Sequence, residues 1–303
     1  TDYDSFLAHD MDCVMLANYA NQHAPFAIKA MESGKHVISE VLPAQNMAEA
    51  VKLIETVEKT GMTYCYAENY CYMDHSFEMR RRYEEGAIGE VTYAEGNYIH
   101  DCESIWLDIT YGETDHWRNR LPPTFYCTHS LGPIMTITGH RPVQVVGFEN
   151  PPIEAFYRLG HPGGHPSGIE MVTLDNGAIV KSIHGPLKLE PSRIAYQVFG
   201  TKGFLGGSAE DMNVHLYQEG DEPCKGETTV YKPEKFVSPE LAKNSGLSTH
   251  GGSDFYPTHF FIEKILGRPD GKWAIDVYQA VDMGICGILA FRSILNGNKP
   301  FKV

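Results

Sequence analysis

Histidine and tyrosine offer this chain its most versatile chemistry, with 14 and 17 copies among 303 residues. An imidazole with a pKa near ~6.5 exchanges protons at neutral pH with little tuning. A phenol near ~10 needs a cation or hydrogen bonds beside it before it acts as a base. Polar clusters rich in such groups fall at Asn18-Tyr19-Ala20-Asn21-Gln22-His23, at Ser39-Glu40-Val41-Leu42-Pro43 and at Glu68-Asn69-Tyr70-Cys71-Tyr72. Each follows a short apolar run, which is where open α/β sheets bind ribose or amide ligands. A plainer reading makes Asn18 and Asn21 caps of the next helix. His161 and His165 are spaced for a metal on a helix, but Pro162, Gly163 and Gly164 between them forbid one. That segment reads as a loop near a substrate pocket, and no metal site is expected. Neither a Gly-x-Ser-x-Gly elbow nor a Gly-x-Gly-x-x-Gly cradle occurs, so acyl transfer has no support and the usual pyrophosphate site is not found.

The elements that must hold these groups change character along the chain. Cys13–Leu16 is a continuous apolar run, read as a parallel strand buried on both faces. A helix over about 24–33 stops at Gly34, and His36-Val37-Ile38 is the next strand. Asn46 caps a helix that ends at Gly61, 62–66 is a third strand, and 73–85 a third helix. Strand and helix in alternation with short links predict a parallel sheet over 1–87. From 88 to 303 the pattern turns to longer strands: 90–99, a hairpin through Asp175-Asn176-Gly177, and another near Gly200-Thr201-Lys202-Gly203. Two amphipathic helices follow, over 253–266 and 275–294. The fold class is therefore α/β, a Rossmann-type parallel sheet followed by an α+β domain with a large antiparallel or mixed sheet.

Composition bounds the possible partners. At 42% hydrophobic and 21% charged the chain is neither disordered nor fibrous, and a net charge of −14 argues against nucleic acid. Arg80-Arg81-Arg82 reads as one solvated helical turn rather than a membrane anchor. Seven cysteines without a Cys-x-x-Cys fit reduced thiols in the cytoplasm.

Several ordered motifs together carry a resemblance. They are Ala30-Met31-Glu32-Ser33-Gly34-Lys35-His36-Val37-Ile38-Ser39-Glu40, Gly86-Ala87-Ile88-Gly89-Glu90-Val91, Trp117-Arg118, Tyr126-Cys127-Thr128-His129-Ser130-Leu131-Gly132-Pro133, Gly200-Thr201-Lys202-Gly203 and His250-Gly251-Gly252-Ser253-Asp254. Over essentially its whole length the chain resembles the Gfo/Idh/MocA oxidoreductases, and within them the redox-neutral NAD-dependent glycosidases. Two departures bear on mechanism. Ordinary members carry Glu-Lys-Pro at the second strand end, where this chain has Glu40-Val41-Leu42-Pro43 without the lysine. They also place Asp four residues before the catalytic His, where this chain has Phe125 before His129. Ser130 replaces a glycine usual in the glycosidase motif, and the stretch around Leu189-Glu190-Pro191-Ser192 departs from it too, so the sugar is left open.

The resemblance implies roles. His129 is the acid/base, with Tyr72 and Tyr126 as further catalytic residues. Arg118, Tyr98, His100 and His250 hold the sugar, while Asn18, Asn21, His23, Glu40 and Asn69 touch the ribose and nicotinamide of NAD. The implied reaction is transient oxidation at C3, which acidifies the C2 proton, then elimination of the aglycone, addition of water and re-reduction. Two alternatives stay open: a net NAD(P)-dependent sugar or inositol dehydrogenase, and a catalytically inactive sugar-binding protein of the same fold. The expected partner is a small glycoside or sugar, with neither nucleic acid nor membrane, in a cytoplasmic homodimer or homotetramer. A dinucleotide fold needs a first βαβ unit of ~30 residues with its glycine fingerprint. Nothing of the kind precedes Cys13, so about 60 residues of the first βαβα segment are expected to be missing, and this chain alone is expected to bind NAD poorly.

Overall fold

The computed structural model describes residues 2–161, 164, 167–185, 192–220, 222, 225–235, 238, 240–241, 243 and 250–303. The apolar runs become β1 (Cys13–Leu16), β2 (His36–Ser39) and β3 (Tyr64–Tyr66), parallel and adjacent in that order. A short α1 (Tyr3–Leu7) precedes them, α2 (His23–Glu32) joins β1 to β2, and α3 (Met47–Thr60) joins β2 to β3. The ends of α3 are local chemistry. Asn46 accepts a hydrogen bond from the Glu49 amide at 2.9 Å, and Gly61 leaves the helix at φ 67°. One expectation fails: β1 lies at the edge of this sheet with Met15 54% exposed, so it is not buried on both faces.

Helix α4 (Asp74–Glu84) leads to the second sheet, made of β4 (Val91–Ile99), β5 (Pro142–Glu149), β6 (Gly168–Leu174), β7 (Ile179–Gly185), β8 (Arg193–Gly200), β9 (Gly203–Ser208), β10 (Val214–Glu219), β11 (Gly226–Tyr231) and β12 (Phe301–Lys302). Their order is β11-β10-β9-β8-β4-β7-β6-β5-β12. Among the described residues of this sheet only β4 and β7 pair in parallel, so the sheet is mixed. The arginines expected to be merely solvated also tie elements together. Arg81, Arg82 and the Tyr231 hydroxyl converge on the buried Glu78 carboxylate, joining α4 to β11.

Along the paired stretches of β4, β7 and β8 successive side chains point to opposite faces, and one face of the sheet carries Ala94, Gly96, Tyr98, Val180, Ser182, His184, Tyr196 and Val198. Helix α6 (Thr128–Thr138) packs on that face so tightly that a Cβ at Gly96 would lie 1.8 Å from the Ser130 carbonyl oxygen. Between β4 and α6 run α5 (Trp106–Ile109) and several short turns; α7 (Glu154–Arg158) follows β5. After α8 (Phe255–Ile265), the 19-residue α9 (Val277–Leu295) opens with a capping box between Asp276 and Gln279. The stretch from 269 to 295 is long and apolar enough to cross a membrane, yet its apolar surface is mostly buried against β5, α3 and β3. The Tyr66 amide donates to the Ile275 carbonyl, which joins β3 to the start of that helix. Cys13, Cys65, Cys71, Cys102, Cys127 and Cys286 are free thiols.

Candidate active site

Register builds the site. Leu16, Ser39 and Tyr66 are neighbours across β1, β2 and β3, so Asn18, Glu40 and Glu68 leave the sheet at the same edge. Glu68 is fully buried, and its Oε1 accepts from His129 Nδ1 at 2.7 Å, while its Oε2 is buried without a partner. His129 arrives on the first turn of α6, and the Tyr196 hydroxyl donates to its carbonyl at 2.8 Å. With Nδ1–H given to the carboxylate, Nε2 is left as the accepting nitrogen, bonded to no described residue. Three phenol rings surround the imidazole, those of Tyr70, Tyr98 and Tyr126, with centroids at 4.9, 4.7 and 4.9 Å. Burial pushes the Tyr98 hydroxyl well above its ordinary pKa and raises that of Tyr70, so both stay protonated.

Beside them opens a cavity of about 930 Å³. Tyr70, Tyr98, His100, Arg118, Tyr126, His184 and His250 form its polar wall, Ile105, Trp106, Ile109 and Leu121 its apolar one, and among the described residues no carboxylate lines it. The Arg118 guanidinium lies 4.5 Å over the Trp117 ring, reaches the Tyr126 hydroxyl at 3.4 Å, and has no carboxylate partner among the described residues. His100 stacks on Tyr98 at 5.9 Å and bonds the Cys102 thiol at 3.0 Å; burial lifts that thiol to about 11. His250 contacts Asp254 at 2.9 Å, and Asn69 donates to the same carboxylate at 2.9 Å. Asn69 is thus linked to the cavity through His250.

Other expected residues lie elsewhere. Tyr72 does not line the cavity: only 2% exposed, it donates to the Trp273 carbonyl and accepts from the Ile275 amide, each at 3.1 Å. Asn69–Tyr72 is a 3-10 turn with about three residues per turn, so positions 70 and 72 face different ways, and Tyr70 takes the cavity side. His23 is buried with Nδ1 against the Leu42 carbonyl at 3.0 Å and Nε2 against the Asn18 carbonyl at 3.1 Å. It braces two strand ends instead of facing a ligand, and burial lowers its pKa. Asn18 is exposed and bonds Gln22 at 3.2 Å. Asn21 lines a second cavity of about 350 Å³ with Gln45, Leu42, His116 and Trp117. Neither asparagine caps α2, whose N-cap is Gln22. The Glu40 carboxyl is raised by desolvation and by the Glu68 charge, with His129 opposing. His161 is buried beside Trp106, whereas Pro162, Gly163 and His165 lie outside the described residues.

Sequence reasoning missed Glu68, Tyr70 and His184 as site residues. Phe125 fills the position of the expected Asp and packs on Phe291 at 6.2 Å, and Glu68, 61 residues before His129, supplies the acidic partner from the turn after β3. A polar residue directly after a buried strand was the available signal.

Comparison with known proteins bears on both halves. Residues 1–68 match the oxidoreductase family with an NAD-binding Rossmann fold, and residues 168–303 match the glycosyl hydrolase 109 C-terminal domain. The chain is 26% identical to an alpha-N-acetylgalactosaminidase of Bacteroides fragilis, covering 97% of this chain and 75% of that protein. It is 29% identical to a glycosyl hydrolase family 109 protein of Solibacter usitatus, over 97% of the chain and 70% of that protein. An inositol dehydrogenase homolog from Azotobacter vinelandii, solved with NADH and myo-inositol, superposes with a TM-score of 0.77 at 15% identity, covering 99% of this chain and 81% of that one. The chain is thus similar over nearly its whole length to glycosyl hydrolase family 109 proteins, with a match to the NAD-binding Rossmann oxidoreductase family over residues 1–68 and to the glycosyl hydrolase 109 C-terminal domain over residues 168–303.

Proposed function

We propose that the protein is an NAD-dependent glycoside hydrolase that cleaves its substrate by oxidation at C3, elimination, addition of water and re-reduction. The observation that carries the reading is the buried Glu68–His129 pair, set among tyrosines where the strand ends meet a sugar-sized cavity. The donor set at that edge fits a nicotinamide riboside: Asn18, Asn21 and Gln45 offer carboxamides, and Glu40 and Glu68 offer carboxylates, with Glu68 Oε2 buried and unpaired. When bound there, NAD supplies a reversible two-electron acceptor for the sugar carbinol.

The chain's own residues do the rest. Once C3 is oxidised, His129 Nε2 takes the C2 proton, and the Glu68 carboxylate faces the charge that then appears on the ring. Tyr98 and Tyr70, held protonated by burial, donate hydrogen bonds to sugar hydroxyls instead of acting as bases. Arg118 and Tyr126 orient the ring from one side, His100 and His250 from the other walls. The apolar wall of Ile105, Trp106 and Ile109 keeps water from the reacting carbons. We further infer a change of unit near 87/88, since the parallel sheet ends at Tyr66 and the mixed sheet starts at Val91. Tight retention of NAD by the full-length protein, a homodimer or homotetramer and a cytoplasmic location complete the reading; the free thiols accord with a reducing compartment.

The test pairs two assays. The full-length protein is purified and denatured and its supernatant analysed for NAD, then a panel of aryl glycosides is scored for aglycone and for reduced cofactor. Aglycone without net NADH supports the glycosidase. NADH rising in step with substrate supports a sugar dehydrogenase, and no nucleotide with no turnover supports a sugar-binding protein.

A further inference from the structure

We propose that His184, held by Glu170, is a second proton-transfer residue of this cavity: it protonates the departing aglycone oxygen and later accepts a proton from the incoming water. The proposal rests on the glycoside-cleaving reading above. Expelling an aglycone as an alkoxide is costly, so the step calls for an acid beside C1. Among the described residues no Asp or Glu lines the cavity, burial leaves Tyr70 and Tyr98 too weakly acidic for the task, and the proposed reaction engages His129 at C2.

His184 has the build of such a group. It is 2% exposed, its Nε2 lies 3.0 Å from Glu170 Oε1, and Glu170 itself is fully buried. The other Glu170 oxygen accepts from the Ser182 hydroxyl at 2.8 Å, and Ser182 bonds Ser130 at 2.8 Å. Ser130 directly follows His129, so the hydroxyl that replaces a glycine ties the second His–Glu pair to the first turn of α6. Across the parallel β4–β7 pairing His184 is the register partner of Tyr98, whose ring touches that of His129. Space for the imidazole is reserved: a Cβ at Gly168 would stand 2.8 Å from His184 Nε2. The ring lines the cavity, and its Nδ1 bonds no described residue. A carboxylate-backed imidazole thus occurs twice, and the ring of the second lines the cavity.

The step balances. In the C3-oxidised sugar His129 removes the C2 proton, the C–H electron pair becomes the C1=C2 bond, and the C1–O bond breaks. The Nδ1 proton of His184 goes to the leaving oxygen, so the aglycone departs as a neutral alcohol. In the return half the water oxygen bonds C1, its proton passes to Nδ1, and C2 regains a proton from His129. Glu170 faces the charge as it comes and goes on the ring.

The experiment compares methyl and 4-nitrophenyl glycosides of the sugar the wild type accepts, using His184→Gln and the double variant His184→Gln/Glu170→Gln. The double variant keeps a neutral hydrogen-bonded pair, so no buried charge is stranded. Loss of an acid should lower kcat on the methyl glycoside by about 100-fold or more and on the nitrophenyl glycoside by less than about tenfold. The ratio of the two rates does not depend on how much of a variant folds. An unchanged ratio, whether both rates fall together or neither falls, overturns the proposal. A wild type that releases no aglycone from either substrate overturns the glycosidase reading itself, and this proposal with it.

Discussion

Glu68→Gln isolates the charge behind the base from its shape. The substitution keeps the volume, and the amide oxygen still accepts the His129 Nδ1–H now bonded at 2.7 Å, so the ring keeps its orientation. What disappears is the negative charge that faces the imidazolium. At ~4 Å between charge centres and an effective dielectric of about 20, that interaction is worth about 4 kcal/mol. A hydrogen bond to a charged group, taken alone, contributes roughly 1.5–3 kcal/mol. With tenfold per 1.36 kcal/mol, kcat is expected to fall by about 10²–10³. Stability moves differently: Glu68 is fully buried and Oε2 has no partner, so a neutral amide costs less to bury. The expected Tm is equal or higher. Steady-state aglycone release and thermal unfolding of the same preparation decide the matter. A kcat within threefold of wild type, in a folded variant, would refute the role of Glu68.

Three more outcomes are expected. Tyr72→Phe removes a hydroxyl that bridges Trp273 and Ile275, so it should cost about 1–2 kcal/mol in urea unfolding and leave kcat within about twofold; a large loss of kcat would return Tyr72 to the site. Arg118→Ala should raise KM by about tenfold or more, with Arg118→Lys restoring little, because a lysine cannot reproduce the planar fork laid over Trp117. Burial pushes His75 down to about 4, below its unfolded value near 6.5. Between those values the unfolded chain binds a proton that the folded chain does not, so stability is full above pH 6.5 and is lost as pH falls toward 4, by up to about 3 kcal/mol. His75→Phe should flatten that loss in urea titrations at pH 7 and 5, and an equal pH slope in both proteins would exclude His75 as its source.

How much of this was legible in the sequence follows from how local each feature is. Asn46 and Gly61 bound α3 through contacts within a few residues, and Asn176-Gly177 turns β6 into β7 by its own backbone preference. The strand ends were found because polar residues after an apolar run leave a local mark. Facing was not legible: Tyr70 and Tyr72 are both aromatic, and only the tightness of their turn puts the first in the cavity and the second in the core. His23 misled because a buried imidazole bonded to two carbonyls has the same residue type as a ligand-facing one. The two His–Glu pairs were hidden for a different reason. Glu68 reaches His129 across 61 residues, and Glu170 meets His184 only because β6 and β7 pair in one register. Such pairs are made by packing, which no sequence period encodes.

The proposed mechanism requires that the C2 proton leaves and returns while the cofactor ends unchanged. Turnover of an accepted glycoside in D2O, followed by NMR of the released sugar and by absorbance of the cofactor, measures both at once. One deuterium at C2 in every product molecule, with no net NADH, is the predicted result. Product with hydrogen retained at C2, or NADH accumulating in step with substrate loss, would contradict it.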